Sequence, residues 1–297
     1  MDVEALKKWQ TAGKVAAEAL AYGKSLIKQG AIIREVCDKV DQKIIDLGAK
    51  PAWPTQVGLN AVAAHFTPDA DDNKAFSDEV VCLDVGAHVD GYVGDNACSV
   101  DLSGKYGELI KAAQDALNNA IKKVRIGVEI GEIGKIIQET IESHNAMPIH
   151  NLSGHGISQW VIHDRPSIPN FASGEKTTLK EGQIIAIEPF ASTGGNIVVE
   201  AERGNLFAVT QPKQVRSQYA REVLKFVLEE YHLLPFTTRW LTKKFGSGKT
   251  ALALRELMQA GVLHAYPPLI DAGKGMITVF EKTMLVGEKV KVLTEVE

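Results

Sequence analysis

Gln29-Gly30-Ala31-Ile32-Ile33-Arg34-Glu35-Val36 has a counterpart further along the chain, Arg125-Ile126-Gly127-Val128-Glu129-Ile130-Gly131-Glu132. In each, a long amphipathic pattern meets a glycine and a second amphipathic pattern begins. Outward from the first segment, residues 2–29 and 32–47 read as helices. The second of these carries Ile32, Ile33, Val36, Val40 and Ile44 at helical spacing. Residues 104–123 and 129–145 repeat the arrangement. Each pair ends near a proline, Pro51 and Pro148, ahead of extended segments. The pattern reads as an internal duplication; the plainer alternative is two helix pairs that look alike by chance.

Residues 79–101 read as a β-hairpin turning at His88-Val89-Asp90-Gly91. Residues 183–190 and 196–209 read as strands, and 276–286 with 289–294 as a last hairpin through Gly287. Between Pro212 and Pro268 the pattern turns helical, over 215–233, 236–245 and 248–261. That block is rich in base (Lys213, Arg216, Arg221, Lys225, Arg239, Lys243, Lys244, Lys249, Arg255) and splits the strand set. The expected architecture is therefore α+β, with a main domain over 1–210 and 267–297 and an inserted helical subdomain over 211–266.

The chain has 297 residues, 45% apolar and 24% charged, with a formal charge of −4. Such a balance suits a soluble globular protein and gives no reason to expect nucleic acid as the main partner. The start, Met-Asp-Val-Glu-Ala-Leu-Lys-Lys, lacks the apolar core of a secretory signal, and no stretch is apolar enough to span a membrane. Cys37, Cys82 and Cys98 are odd in number and unpatterned, as in a cytoplasmic protein with reduced thiols.

Four acids stand out because their surroundings are wrong for them. Asp84 sits in Val80-Val81-Cys82-Leu83-Asp84-Val85, Glu188 in Ile184-Ile185-Ala186-Ile187-Glu188-Pro189-Phe190, and Glu281 in Ile277-Thr278-Val279-Phe280-Glu281. An ionised carboxylate in a buried strand costs several kcal/mol or more unless a cation answers it. No Lys or Arg lies inside those strands, so metal ions are the natural answer. With the hairpin turn centred between Val89 and Asp90, Asp84 faces Asp95 directly and two cations fit between them. Taken alone, two Asp on a hairpin more often face solvent. His155, in Asn151-Leu152-Ser153-Gly154-His155-Gly156, is the expected nitrogen ligand; its glycines are expected to let the backbone approach a ligand.

Ala64-His65-Phe66-Thr67-Pro68, Leu83-Asp84-Val85-Gly86, Asp90-Gly91-Tyr92, Asn151-Leu152-Ser153-Gly154-His155, Ile187-Glu188-Pro189-Phe190 and Phe280-Glu281 resemble the corresponding segments of methionine aminopeptidases. The helical insertion and the spacing from His155 to His163 resemble the type II enzymes of archaea and eukaryotes. The resemblance implies the pseudo-twofold pita-bread fold with a winged-helix-like insertion. It implies removal of an N-terminal methionine, ahead of a small second residue, by metal-activated water attack on the first peptide bond. It assigns Asp84, Asp95, His155, Glu188 and Glu281 to a dinuclear site. An oxygen-rich set with one imidazole suits Mn, Fe or Co, with Zn also accommodated. Glu188 is expected to shuttle the proton, His163 to stabilise the tetrahedral intermediate, and His65 to contact the scissile amide. By the same resemblance Trp53, Ile162, Phe190 and Tyr266 wall the methionine pocket, with His65 and His163 at its edge. Partners implied are nascent polypeptide N-termini, with ribosome contact, for a monomer in the cytoplasm.

Three positions depart from the family's pattern: Lys282 after Glu281, Asp164-Arg165-Pro166 after His163, and Trp53 in place of Phe. Gly246-Ser247-Gly248-Lys249-Thr250 superficially matches a nucleotide-binding loop, but Lys243 stands where its first glycine is required, so Ser247 is expected to cap a helix instead. His88, His144, His150, His232 and His264 are expected at surfaces or turns. Rival readings on the same fold are an X-Pro peptidase and a non-catalytic protein that binds RNA, ribosome or protein through the basic block.

Overall fold

The structure is a computed structural model that describes residues 2–296. Its two helix pairs are α1 (Val3–Leu26) with α2 (Ile33–Asp46), and α3 (Gly107–Lys123) with α4 (Ile130–Ser143). One offset relates Gly30 to Gly127, Ile33 to Ile130, Gly48 to Asn145 and Pro51 to Pro148. The likeness extends to backbone bonding. Both α2 and α4 end in a left-handed residue, Gly48 at φ +85° and Asn145 at φ +56°. In both, the next amide reaches back to the last helical turn, Ala49 to Ile44 and Ala146 to Ile141. Isolated bridges pin the two helix starts alike, Ile32 to Ala75 and Glu129 to Thr178. The duplication is structural.

α4 shows what holds these pairs. Its β-branched Ile130, Ile133, Ile137 and Ile141 each lose about 0.4 kcal/mol of helix propensity against alanine. All four are buried, which returns roughly 1.5–3 kcal/mol each. Packing decides the element.

The main sheet runs, in spatial order, Lys50–Pro51, Val80–Val89, Tyr92–Asp101, Glu281–Leu285, Ile184–Ile187, Ser153–Ser158, Val161–Pro169, each pair antiparallel. Three strands from each half thus flank one strand from the C-terminal region. Val81, Leu83, Val85 and Ala87 face α1 and α2, and Ile185, Ile187 and Met284 face α3 and α4. The alternate residues face the other way and also meet a second layer. Burial on both faces explains why the strands read as continuous apolar runs.

Two expectations about strands are corrected. The hairpin turns on Asp90-Gly91, both at positive φ (+52° and +83°), with Val89 paired to Tyr92. That is the two-residue turn an Asp-Gly pair favours, so Asp84 pairs with Ala97, not Asp95. The 183–190 and 276–286 segments each break, into Ile184–Ile187 then Phe190–Ser192, and Ile277–Val279 then Glu281–Leu285. Phe190–Ser192 and Ile277–Val279 pair with each other in a separate sheet. Likewise 196–209 is two short strands, Val198–Glu200 and Leu206–Val209.

The inserted block holds α5 (Gln218–Glu230), α6 (Thr238–Phe245) and α7 (Ser247–Gln259) against a three-stranded sheet of Leu206–Val209, Phe236–Thr237 and Leu263–Tyr266. This is a winged-helix-like arrangement. Its apolar cluster centres on Val223, Val227, Phe236, Leu241 and Leu257 and takes in Phe207 and Val209. Ser247 is the first residue of α7 rather than its cap; Gly246 at φ +78° precedes it and makes no side-chain cap bond. No helix among the described residues is long and apolar enough to cross a membrane.

Candidate metal centre

The sheet register assembles the acids. Asp84 pairs with Ala97, and Ala97 pairs with Glu281. The pairs on either side of the strand break, Ile187 with Lys282 and Phe190 with Val279, carry Glu188 opposite Glu281. One row across the sheet therefore reads Asp84, Ala97, Glu281, Glu188. Two residues along, on the same face, Asp95 pairs with Gly86, and Thr283 pairs with Ala186, which pairs with His155. Asp95 and Thr283 are locked together, Asp95 N–H donating to Thr283 Oγ1 (2.8 Å) and Thr283 Oγ1 donating to Asp95 O (2.8 Å). The residues between the acids are Ala, Gly and Thr, and their small size leaves room above the sheet.

Asp84 and Asp95 are thus diagonal neighbours, with backbones roughly 7–8 Å apart rather than in direct opposition. The shift from the expected register is two residues, so both acids keep the same face; a one-residue shift would have separated them.

Asp95, His155 and Glu281 are buried, and one ligand atom from each lies within 4.8 Å of the others. His155 Nε2 is 3.5 Å from Asp95 Oδ2 and 3.9 Å from Glu188 Oε1. Its Nδ1 lies 3.1 Å from Gly156 O. A carbonyl only accepts, so Nδ1 carries the proton and Nε2 presents a lone pair to the carboxyl groups. Burial and His163 hold the His155 imidazole down to about 3, so this contact is no ion pair at neutral pH. Burial pushes Asp84, Glu188 and Glu281 well above the carboxylate range, and their mutual repulsion adds to it. Asp95 is raised by burial to about 7. Four ionised carboxylates around one space would repel each other, and protons or divalent cations relieve that repulsion. The donor set, four oxygens and one imidazole, fits hard-to-borderline divalent metals.

The expected glycine role is corrected. A Cβ on Gly154 would lie 2.4 Å from Ala186 O, and one on Gly156 would lie 2.2 Å from Arg165 O. These glycines admit the neighbouring strands, and so set His155 into the sheet.

All the residues expected for the pocket line one cleft of about 560 Å³ with the acids: Trp53, His65, Ile162, His163, Phe190 and Tyr266. Among the described residues, no Lys or Arg lines it. His163 opens into the cleft with its ring edge-on to His155 (centroids 4.5 Å). His65 meets Tyr266 edge-on (5.6 Å). His65 holds a left-handed backbone, φ +63°, which costs a non-glycine residue of order 1 kcal/mol. Its N–H donates to Gln56 Oε1 (2.6 Å). Burial and His163 lower its imidazole to about 4, so it is neutral at physiological pH. Lys282 turns away, its Nζ donating to Thr294 O.

Sequence reasoning missed several participants. Trp53 Nε1 donates to Asp84 Oδ1 (3.1 Å), so this ring orients an acid as well as walling the cleft. Asn170 Nδ2 donates to Glu188 O and Leu152 O (3.1 Å each) across the strand break. Leu233, Leu234 and Pro235 of the inserted block form part of the wall. His88, expected at a surface or turn, is buried beside the turn, where its Nδ1 accepts the Gly91 N–H (3.1 Å). None has a local sequence signal, because each partner is distant or lies across a turn.

The family model described as Metallopeptidase family M24 matches residues 7–211. A methionine aminopeptidase of Archaeoglobus fulgidus is 43% identical over 287 residues, 96% of this chain and 97% of that one. Among solved structures, a thermophilic Arx1 matches with TM-score 0.86 at 16% identity, over 99% of this chain and 91% of that chain. A methionine aminopeptidase of Thermotoga maritima matches with TM-score 0.74 at 24% identity, over 99% and 98%. The structural likenesses establish the fold. The metallopeptidase signature and the near-complete sequence match agree with the acid-lined, cation-seeking cleft: this chain belongs to metallopeptidase family M24, among methionine aminopeptidases of the archaeal type.

Proposed function

We propose that this protein removes the N-terminal methionine from proteins and peptides, ahead of a small second residue, using two divalent metal ions held by Asp84, Asp95, His155, Glu188 and Glu281. The observation that carries this reading is a neutral imidazole and four carboxyl groups around one cleft that, among the described residues, no Lys or Arg lines. Mn, Fe or Co suits the donor set, and Zn is accommodated. When bound, such ions supply Lewis acidity to the scissile carbonyl and to a water molecule.

The chain's own groups do the rest. Glu188 reaches into the cleft from the break between two strands, where burial and the neighbouring Asp95 and Asp84 raise its carboxyl well above the usual carboxylate range. It takes the proton from the attacking water and passes it to the leaving amine, a role worth about 10²–10⁴-fold in rate. His163 donates an N–H to the oxygen that gains charge, and His65 donates one to the scissile amide. Both are neutral donors and leave the site's charge balance to the metals. Trp53, Ile162, Phe190 and Tyr266 enclose an unbranched thioether, which packs well against aromatic rings.

We take 1–210 and 267–297 as the catalytic unit and 211–266 as an inserted subdomain that completes the cleft wall. The apolar cluster of that block supports the division, with Phe207 and Val209 bridging it. The protein acts as a monomer on nascent polypeptide N-termini in the cytoplasm, without nucleotide or membrane. The basic residues of the block suit ribosome contact.

Glu188→Ala, assayed with Mn, Co or Fe on a Met-Ala-Ser peptide, is expected to lose at least 100-fold in kcat, with circular dichroism unchanged. Near-wild-type turnover would remove the proposed chemistry, and faster cleavage of X-Pro dipeptides would replace the substrate class.

A further inference from the structure

The inserted block grips the chain just beyond His65. Thr67, fully buried, donates its Oγ1–H to Thr55 O (3.0 Å) and accepts from Arg239 Nη1 (2.8 Å). The same Nη1 reaches Pro68 O (2.8 Å). Thr67 O accepts from Asn205 Nδ2 (2.7 Å), and Asp69 accepts from Thr238 Oγ1 (2.7 Å). Arg239 comes from α6 and is itself immobilised. It is 3% exposed, with Nε on Asp38 Oδ1 (2.9 Å) and Nη2 on Asp41 Oδ2 (3.1 Å). Asp41 closes the circuit. Its Oδ1 accepts from Thr55 N–H (2.9 Å) and Thr55 Oγ1–H (2.6 Å).

The circuit Arg239–Thr67–Thr55–Asp41 therefore fixes two segments of the cleft. Thr55 lies two residues from Trp53, and Thr67 two residues from His65. Between them His65 sits in a left-handed backbone that surroundings must over-determine to persist. Its own N–H is tied to Gln56, next to Thr55. We propose that Thr67, held by Arg239, is a positioning residue for His65, so that the inserted block sets where this imidazole stands in the cleft. A guanidinium suits the task because its planar fork reaches a hydroxyl and a carbonyl at once while two carboxylates hold its other arms.

The proposal rests on the reading in which His65 contacts the reacting peptide, and the test separates the two. Thr67→Val keeps shape and removes the hydroxyl; Thr67→Ser restores it. With saturating Mn and Met-Ala-Ser, Thr67→Val is expected to lower kcat roughly tenfold with little change in KM, and Thr67→Ser to recover it. In a His65→Ala background, Thr67→Val is expected to cost no further kcat while lowering Tm by the same amount as in the wild type. An equal kcat loss in both backgrounds, or none in the wild type, overturns the proposal. Should Thr67→Val not fold, Arg239→Lys is read in the same two backgrounds, since lysine keeps a cation between Asp38 and Asp41 without the second arm. If His65→Ala alone turns over like the wild type, the role given to His65 under the proposed function fails instead.

Discussion

Asp84, Glu188 and Glu281 announce themselves one by one in the sequence because each interrupts an apolar run, and Asp95 enters through its place on the hairpin. What each faces is a matter of register. Ala97 stands between Asp84 and Glu281, and Gly86 and Thr283 flank Asp95, so the acids are separated by small residues rather than stacked. The metal-free site holds protons: Asp95 is raised to about 7, and its neighbours are also raised. A cation must displace them, so the sign is fixed: affinity rises with pH. Manganese affinity is expected to rise between pH 6 and pH 8, with protons released on binding. Calorimetry in two buffers of different ionisation enthalpy checks this, and a pH-independent affinity would contradict the charge state derived for the cleft. Trp53 marks the limit of sequence reading at this scale. The family resemblance placed it in the wall, but its N–H bond to Asp84 depends on two segments meeting in space.

At the scale of elements, the helix pairs were legible because amphipathic spacing and glycine stops are local signals. The strand breaks at Glu188-Pro189 and Phe280 were not, since an apolar run looks the same whether it stays in one sheet or passes to another. Close packing of helix on sheet was equally hidden. α1 crosses the Tyr92–Asp101 strand so tightly that a Cβ on Gly94 would lie 2.5 Å from Gly13 Cα. Gly94→Ala is therefore expected to cost about 1–3 kcal/mol by overpacking. Because Asp95 is the next residue, metal affinity is expected to fall with it. Thermal melts with and without manganese measure both, and an unchanged Tm would show that α1 yields freely.

For the whole molecule, the inserted block is tied in by charge as well as apolar packing. Lys50 meets Glu230 (2.7 Å), and Arg239 bridges Asp38 and Asp41 from the buried side of α6. Arg239→Met leaves two acids at that seam without their guanidinium. Such a loss costs about 3–5 kcal/mol, and calorimetry is expected to show a Tm lower by roughly 10 °C. A melt like that of the wild type would mean the seam is held without this network. The sequence by itself determined the duplication, the change to a basic helical stretch after Pro212 and which acids sit among apolar neighbours, because periodicity and misplaced charge are properties of short stretches. Only the tertiary structure decided which register joins the acids, which strand breaks to release Glu188, and that Arg239 reaches back to the loop after His65. Those outcomes depend on contacts between residues far apart in the chain, and no local pattern encodes a partner's position.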